Sequence, residues 1–159
     1  MKKYILVILA AAAIGAIPTK AMAQNLNVMA DSIFQPALKE LVPIFAERTG
    51  SDIRLSLAPS TILLEQIFSG NPVDVFFPAG ERHLRQAQEK GRVDVTLKRN
   101  ILILPGPNSS ELTEDHSPEY ASAAVMTTSD QRVQAMAFLE FLVSDTAREV
   151  FARQGFGLP

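Results

Sequence analysis

Hydrophobic and polar positions change period repeatedly along this chain, which predicts strands alternating with helices. Leu26 and Val28 alternate with polar residues, and so do Ile53, Leu55 and Leu57. Alternation of this kind is typical of strands with one buried face, whereas short continuous apolar runs are typical of strands buried on both faces. The predicted strands are 26–28, 53–57, 73–77, 101–104 and 121–126.

Between these strands the apolar residues recur every three or four positions, which is the spacing of an amphipathic helix. The predicted helices run from 32–35 to Gly50, from Ile62 to Gly70, from Glu81 to Lys90, from Ser129 or Asp130 to about Phe141, and from Ser144 to Gln154. Pro43 lies inside the first helix and predicts a kink or local unwinding there. The alternation predicts an α/β fold, a mostly parallel three-layer sheet with helices on both faces.

Residues 1–23 have the pattern of a secretory signal peptide. Two lysines precede an uncharged run, Tyr4–Ile17, and Ala21–Ala23 supplies the small-x-small pattern that signal peptidase cleaves. A membrane anchor is the alternative, but the run is shorter than the roughly 20 residues that span a bilayer. The sequence therefore predicts cleavage after Ala23 and a periplasmic mature chain, residues 24–159.

Composition narrows the classes of function further. The 159-residue chain contains no cysteine, so disulfides are excluded. Its formal charge of −2 becomes −5 once the three lysines of the leader are removed. A mildly acidic chain without a Lys/Arg cluster argues against a nucleic-acid partner. The mature length suits one domain with one core.

Three turns at the predicted carboxyl ends of strands are suited to an anion. They are 30–32, 59–61 and 78–80, and each leads into a predicted helix. Helix N-termini present unpaired N–H groups and a partial positive charge, and Ser32, Ser60 and Thr61 add hydroxyl donors. None of the turns contains Lys or Arg. The pattern favours an anion held by neutral hydrogen bonds, although serines in these places are also ordinary helix caps.

The same segments resemble a known family. The matching segments are Leu26–Ser32, Phe45–Gly50, Ser60–Ile67, Gly70–Ala79, Ala135–Ser144 and Phe151–Phe156. In their order and spacing they are similar to the periplasmic molybdate/tungstate-binding proteins of ABC transporters, a type II solute-binding protein family. The resemblance implies a non-enzymatic carrier of molybdate or tungstate with no cofactor. Its implied partners are the oxyanion and a permease in the inner membrane.

The resemblance also implies the site residues. The family's oxyanion contacts fall on Ser32, Ser60 and the backbone N–H of Ala79. Asp31 departs from the small residue usual beside the first serine, and a carboxylate there repels an anion unless it points away or is itself capped. Pro59 is a second departure, since proline has no backbone N–H to donate.

The family has two lobes, and this chain has room for one. Residues 105–119 stand where the family's second lobe would be, and fifteen residues are too few for an independent domain. They are expected to form a loop in its place. The alternatives are therefore a single-lobe interaction module, including a homodimer, or a remnant that no longer binds the anion tightly.

The hypothesis that the protein is an enzyme is the least favoured. Ser60, His83 and Asp74 could compose a hydrolytic triad, but no nucleophile-elbow motif supports one. The two histidines, His83 and His116, follow no metal-ligand spacing. We therefore expect a protein without catalytic residues and without a metal site.

Overall fold

The computed structural model describes residues 25–103 and 120–159, except for the side chains of 95–97 and 103. The predicted signal peptide, its cleavage after Ala23 and the predicted loop 105–119 lie outside the described residues. The elements are β1 (Asn25–Asp31), a short 3-10 helix (Ser32–Phe34), α1 (Gln35–Thr49), β2 (Asp52–Ala58), α2 (Ser60–Phe68), β3 (Val75–Phe77), α3 (Glu81–Glu89), β4 (Val93–Ile103), β5 (Tyr120–Met126), α4 (Arg132–Leu142) and α5 (Asp145–Arg153). None of the helices in the described ranges is long and apolar enough to cross a membrane.

The described strands form one sheet in the order β2-β1-β3-β5-β4. β1 lies between β2 and β3 and runs parallel to both, whereas β5 is antiparallel to β3 and to β4. Parallel strands end at the same side of a sheet, so the carboxyl ends of β1, β2 and β3 are neighbours. This side is called the carboxyl edge below. The predicted α/β fold, with a sheet that is parallel in its core, is confirmed.

Helices cover both faces of the sheet, as predicted. One face packs against α1, α4 and α5 in a large core that includes Phe34, Phe77 and Phe151. The other packs against α2 and α3 in a smaller core around Phe76. The neighbouring residues Phe76 and Phe77 thus enter opposite cores, because successive side chains of a strand point to opposite faces. The central strand β3 is buried on both faces.

The fourth strand is longer than the sequence pattern predicted. β4 spans Val93–Ile103 rather than 101–104, so the prediction missed its first eight residues. Those residues include charged side chains that break the apolar run. β4 lies at the end of the sheet, where charged side chains are common. The charges are paired with helices, Lys98 with Glu81 and Arg99 with Glu140.

The observed starts of the helices agree only in part with those predicted from the sequence. α2 begins at Ser60 after an N-cap at Pro59, not near Ile62, and no side chain of its own turn caps it. The N-cap of α4 is Gln131 rather than Ser129 or Asp130, so that prediction is wrong by one or two residues. By contrast, the prediction for α5 is confirmed, since the Ser144 hydroxyl accepts from the N–H of Ala147 at 3.4 Å.

The first helix continues through its internal proline. α1 is helical from Gln35 to Thr49 with Pro43 inside it, so the predicted local unwinding is absent. Proline leaves the carbonyl of Lys39, four residues earlier, without its helical partner. Because Lys39 is exposed, water can satisfy that carbonyl.

Candidate functional site

The carboxyl edge brings together the three turns that the sequence singled out. The first residue of α2, Ser60, lies at their centre and is 4% exposed. Its hydroxyl oxygen accepts a hydrogen bond of 2.9 Å from the backbone N–H of Ala79, which follows β3. Two of the three residues expected to contact an oxyanion are therefore in direct contact with each other.

Asp31, at the end of β1, occupies both donors of Ser60 at this edge. Its Oδ2 accepts from the Ser60 N–H at 2.7 Å and from the Ser60 hydroxyl at 2.5 Å. Its Oδ1 accepts from the N–H of Ile33 at 3.0 Å, so it also caps the 3-10 helix. One carboxylate thus caps the 3-10 helix directly after it and also α2, whose first residue is 29 positions beyond Asp31 in sequence.

Ser32, the third expected residue, lies in the same turn but is differently placed. It is exposed, and its hydroxyl makes no hydrogen bond to another residue of the described part of the chain. Its position directly after Asp31 keeps it at the carboxyl edge. The structure therefore leaves the Ser32 hydroxyl available, whereas the Ser60 hydroxyl proton and the Ala79 N–H are already used.

Sequence reasoning marked Asp31 as a departure but could not assign its partners. A local helix cap can be predicted from the sequence, because its side chain bonds within the first turn of its own helix. The contact between Asp31 and Ser60 depends instead on the parallel pairing of β1 and β2, in which Asp31 stands opposite Ala58. An acidic residue at the end of the first strand, followed by an uncapped helix after the second, was the available signal.

Gly80 holds the third turn in a conformation that suits glycine. Its φ of 87° and ψ of 156° place it in a region that other residues rarely enter, and it is the N-cap of α3. Ala79 precedes it in the same turn, and the Ala79 N–H donates to the Ser60 hydroxyl.

Replacing Gly80 with alanine should therefore destabilise the protein by about 1–3 kcal/mol. Gly50→Ala is a matched control, because Gly50 also has a positive φ of 69° but a ψ of 7°, close to the left-handed region that alanine tolerates better. Urea unfolding of both variants measures the difference. An equal loss in the two variants would contradict a special strain at Gly80.

A hydrolytic triad is not assembled. The Ser60 hydroxyl donates to Asp31, while Asp74 lies before β3, toward its amino end. The carboxylate of Asp74 accepts from the backbone and side-chain N–H groups of Asn27 and from the hydroxyl of Ser129. Across the described ranges no cluster of three or more His, Cys, Asp or Glu residues could hold a metal ion.

A cavity of about 290 Å³ lies at the opposite end of the parallel strands. Asn27, Asp74, Arg92 and Gln131 are among the residues that line it. It is formed at the amino end of β1, and a seven-residue strand separates it from the carboxyl edge by roughly 20 Å. The cavity is therefore distinct from the site that the serines define.

The geometry at the carboxyl edge is that of an α/β lobe with hydrogen-bond donors at helix starts. The sequence at residues 26–113 and 110–157 matches the family described as bacterial extracellular solute-binding proteins. These two segments cover most of the chain, and the protein belongs to this family. Because the family and the relatives below are solute-binding proteins, the expectation of a non-enzymatic protein is confirmed.

Molybdate-binding proteins are among the relatives. The molybdate-binding protein ModA of Escherichia coli (strain K12) is 29% identical over 90 residues, which are 54% of this chain and 35% of that protein. The matched region thus spans about a third of the relative's length.

Solved structures show the same fold. A Clostridium difficile substrate-binding domain named for a molybdenum ABC transporter aligns with a TM-score of 0.74 at 13% identity, over 85% of this chain and 99% of that one. The periplasmic molybdate-binding protein of Azotobacter vinelandii aligns with a TM-score of 0.72 at 14% identity, over 84% and 99%. The resemblance stated from the sequence is therefore confirmed at the level of family and fold.

Proposed function

We propose that this protein is the periplasmic substrate-binding protein of a molybdate-type ABC transporter. In this proposal it binds a tetrahedral oxyanion, molybdate or tungstate, at the carboxyl edge through Ser32, Ser60 and the N–H of Ala79. The observation that carries the proposal is the contact between Ala79 and Ser60 at the start of α2, because it brings donors from two turns to one point.

The chemistry of this edge suits an oxyanion that carries no proton. Such an ion can only accept hydrogen bonds, and hydroxyl and backbone N–H groups donate them without adding a formal charge. The nine-residue helix α2 adds its N-terminal N–H groups and the positive end of its dipole. The absence of Lys and Arg from the three turns makes neutral donors the basis of recognition.

The relatives support the cellular setting of the proposal. The Azotobacter vinelandii relative is a periplasmic molybdate-binding protein. By analogy, residues 1–23 would direct export, cleavage would follow Ala23, and a permease in the inner membrane would receive the anion. The mass of the exported chain tests the cleavage position directly. No cofactor is part of this function.

A second candidate function is a single-lobe interaction module, such as a homodimer. If residues 105–119 are a loop in place of a second lobe, the carboxyl edge has no covering domain within the chain. Ile33 and Ile62 are each 44% exposed beside this edge, and exposed apolar side chains are typical of surfaces that bind another protein. Analytical ultracentrifugation tests this candidate, and a strict monomer at high concentration would contradict the homodimer.

A thermal melt with and without millimolar molybdate, tungstate, sulfate and phosphate tests the oxyanion proposal. A ligand that binds the folded state alone adds about 2.7 kcal/mol of stability at a hundredfold excess over its Kd. We expect molybdate and tungstate to raise the Tm more than sulfate and phosphate do. Equal effects of all four anions would contradict the ligand assignment.

Ser60→Ala should abolish this rise in Tm, because it removes the hydroxyl at the centre of the edge. Ser69→Ala is the matched control, since Ser69 is exposed at the other end of α2 and its hydroxyl bonds the carbonyl of Glu65. The control should keep the full rise. A Ser60→Ala variant that retains it would place the anion elsewhere.

A further inference from the structure

We propose that Asp31 is an internal ligand of the anion site: its carboxylate occupies both donors of Ser60 at the carboxyl edge, and an oxyanion binds by displacing it. Asp31 then determines both the affinity of the site and the ligand charge that the site accepts. This inference deepens the proposed function and rests on it.

The hydrogen bonds of the edge support an internal ligand. A carboxylate is itself an oxyanion, and that of Asp31 accepts the N–H and hydroxyl protons of Ser60 and the N–H of Ile33. The Ala79 N–H is used as well, because it donates to the oxygen of the same Ser60 hydroxyl. An external anion at the Ser60 donors needs them to be released from Asp31, and an anion at the Ala79 N–H needs that group to be released from the Ser60 hydroxyl.

Asp31 differs from an ordinary helix cap in what it bonds. The Ser144 hydroxyl caps α5 by accepting from Ala147, three residues further on. Asp31 caps its own 3-10 helix in the same local way through Oδ1. Its Oδ2 has no role in that cap and bonds only Ser60, at the start of α2. The Oδ2 atom of Asp31 therefore bonds only within the proposed anion site.

Displacement leaves a negative charge beside the bound ligand. The Asp31 side chain is short, so its carboxylate stays near the edge after it rotates away from Ser60. The Coulomb repulsion energy between that carboxylate and the ligand is proportional to the ligand's negative charge. The three turns contain no Lys or Arg that would offset it. A dianion is therefore penalised more than a monoanion of the same shape.

Tungstate and perrhenate separate the effect of charge from the effect of shape. Both are tetrahedral oxyanions of a third-row metal, with charges of −2 and −1. Calorimetric titration of the wild type, Asp31→Asn and Asp31→Ala measures the Kd of each anion. Asparagine keeps an acceptor oxygen at position 31 without the charge, so Asp31→Asn preserves the caps better than alanine does.

We expect Asp31→Asn to lower the Kd of tungstate by about 100-fold and that of perrhenate by about tenfold. The change in binding free energy is then twice as large for the dianion as for the monoanion, which is the ratio of their charges. Asp31→Ala should bind tungstate at least as tightly, since it also removes the competing acceptor. Adding Ser60→Ala to Asp31→Asn should remove the gain. Asp52→Asn is the control, because Asp52 is exposed at the amino end of β2 and should change neither Kd.

Three results would overturn the inference. Equal tungstate affinity in the wild type and Asp31→Asn would show that Asp31 does not compete, and the proposed function would remain. An equal gain for tungstate and perrhenate would refute the selection by charge. If a cooperative melt shows every variant folded and none binds either anion, the proposed function itself fails and the inference fails with it.

Discussion

Replacing Phe77 with alanine should lower the free energy of unfolding by about 3–5 kcal/mol, the largest loss that we expect from one substitution. Phe77 is fully buried in the central strand β3. Its ring stacks on that of Phe34, with centroids 4.1 Å apart and planes 5° apart, and it meets Phe151 edge-on at 6.5 Å. The truncation therefore removes contacts with the 3-10 helix and with α5 and leaves a cavity between them.

Phe68→Ala is the matched control for this prediction. Phe68 ends α2 and is 39% exposed, so the same change in chemistry should cost much less there. Urea unfolding followed by circular dichroism gives both values. Similar losses in the two variants would contradict the view that the stack of Phe34 and Phe77 holds the first turn of the site against β3.

Replacing Asp74 with alanine should destabilise the protein by about 3 kcal/mol. Asp74 is 6% exposed, and its carboxylate accepts from the backbone N–H of Asn27 at 2.8 Å and from the Ser129 hydroxyl at 2.7 Å. Alanine leaves these donors without acceptors in a partly buried place, and unsatisfied donors cost more than the bonds themselves contribute. The effect is on stability, since Asp74 lies far from the carboxyl edge.

Two comparisons make the Asp74 prediction specific. Asp74→Asn keeps one acceptor oxygen, so we expect a smaller loss than with alanine. Asp52→Ala removes a carboxylate from an exposed position and should stay within about 0.5 kcal/mol of the wild type. Chemical denaturation of the three variants provides the ranking. An Asp74→Ala variant as stable as Asp52→Ala would refute the structural role.

The sequence was most informative where local pattern and burial coincide. The apolar run that contains Phe76 and Phe77 predicted a strand buried on both faces, and the two rings do enter the two cores. The charged part of β4 was missed because its place in the sheet depends on partners distant in sequence. Lys98 is neutralised by Glu81 and Arg99 by Glu140, which the local pattern cannot show.

The meeting of the three turns at one edge was predictable to a similar extent. Parallel strands end at one edge, so the convergence of the turns at Ser60 and Ala79 followed from the predicted topology. The contact between Asp31 and Ser60 did not, because it depends on a side-chain rotamer and on the register of β1 against β2. The sequence marked the acidic residue as unusual for its family, and the structure shows that its partners are Ser60 and Ile33.

The pairing of Ile103 with Tyr120 has a consequence for how this architecture can evolve. The end of β4 and the start of β5 are hydrogen-bonded neighbours, and β5 begins beside the carboxyl end of β3. A polypeptide of any length can join two such adjacent points without disturbing the sheet. An insertion or a deletion between these two residues would therefore be a single local event in the gene. Grafting a foreign binding module between these residues would place it at the carboxyl edge, beside the end of β3.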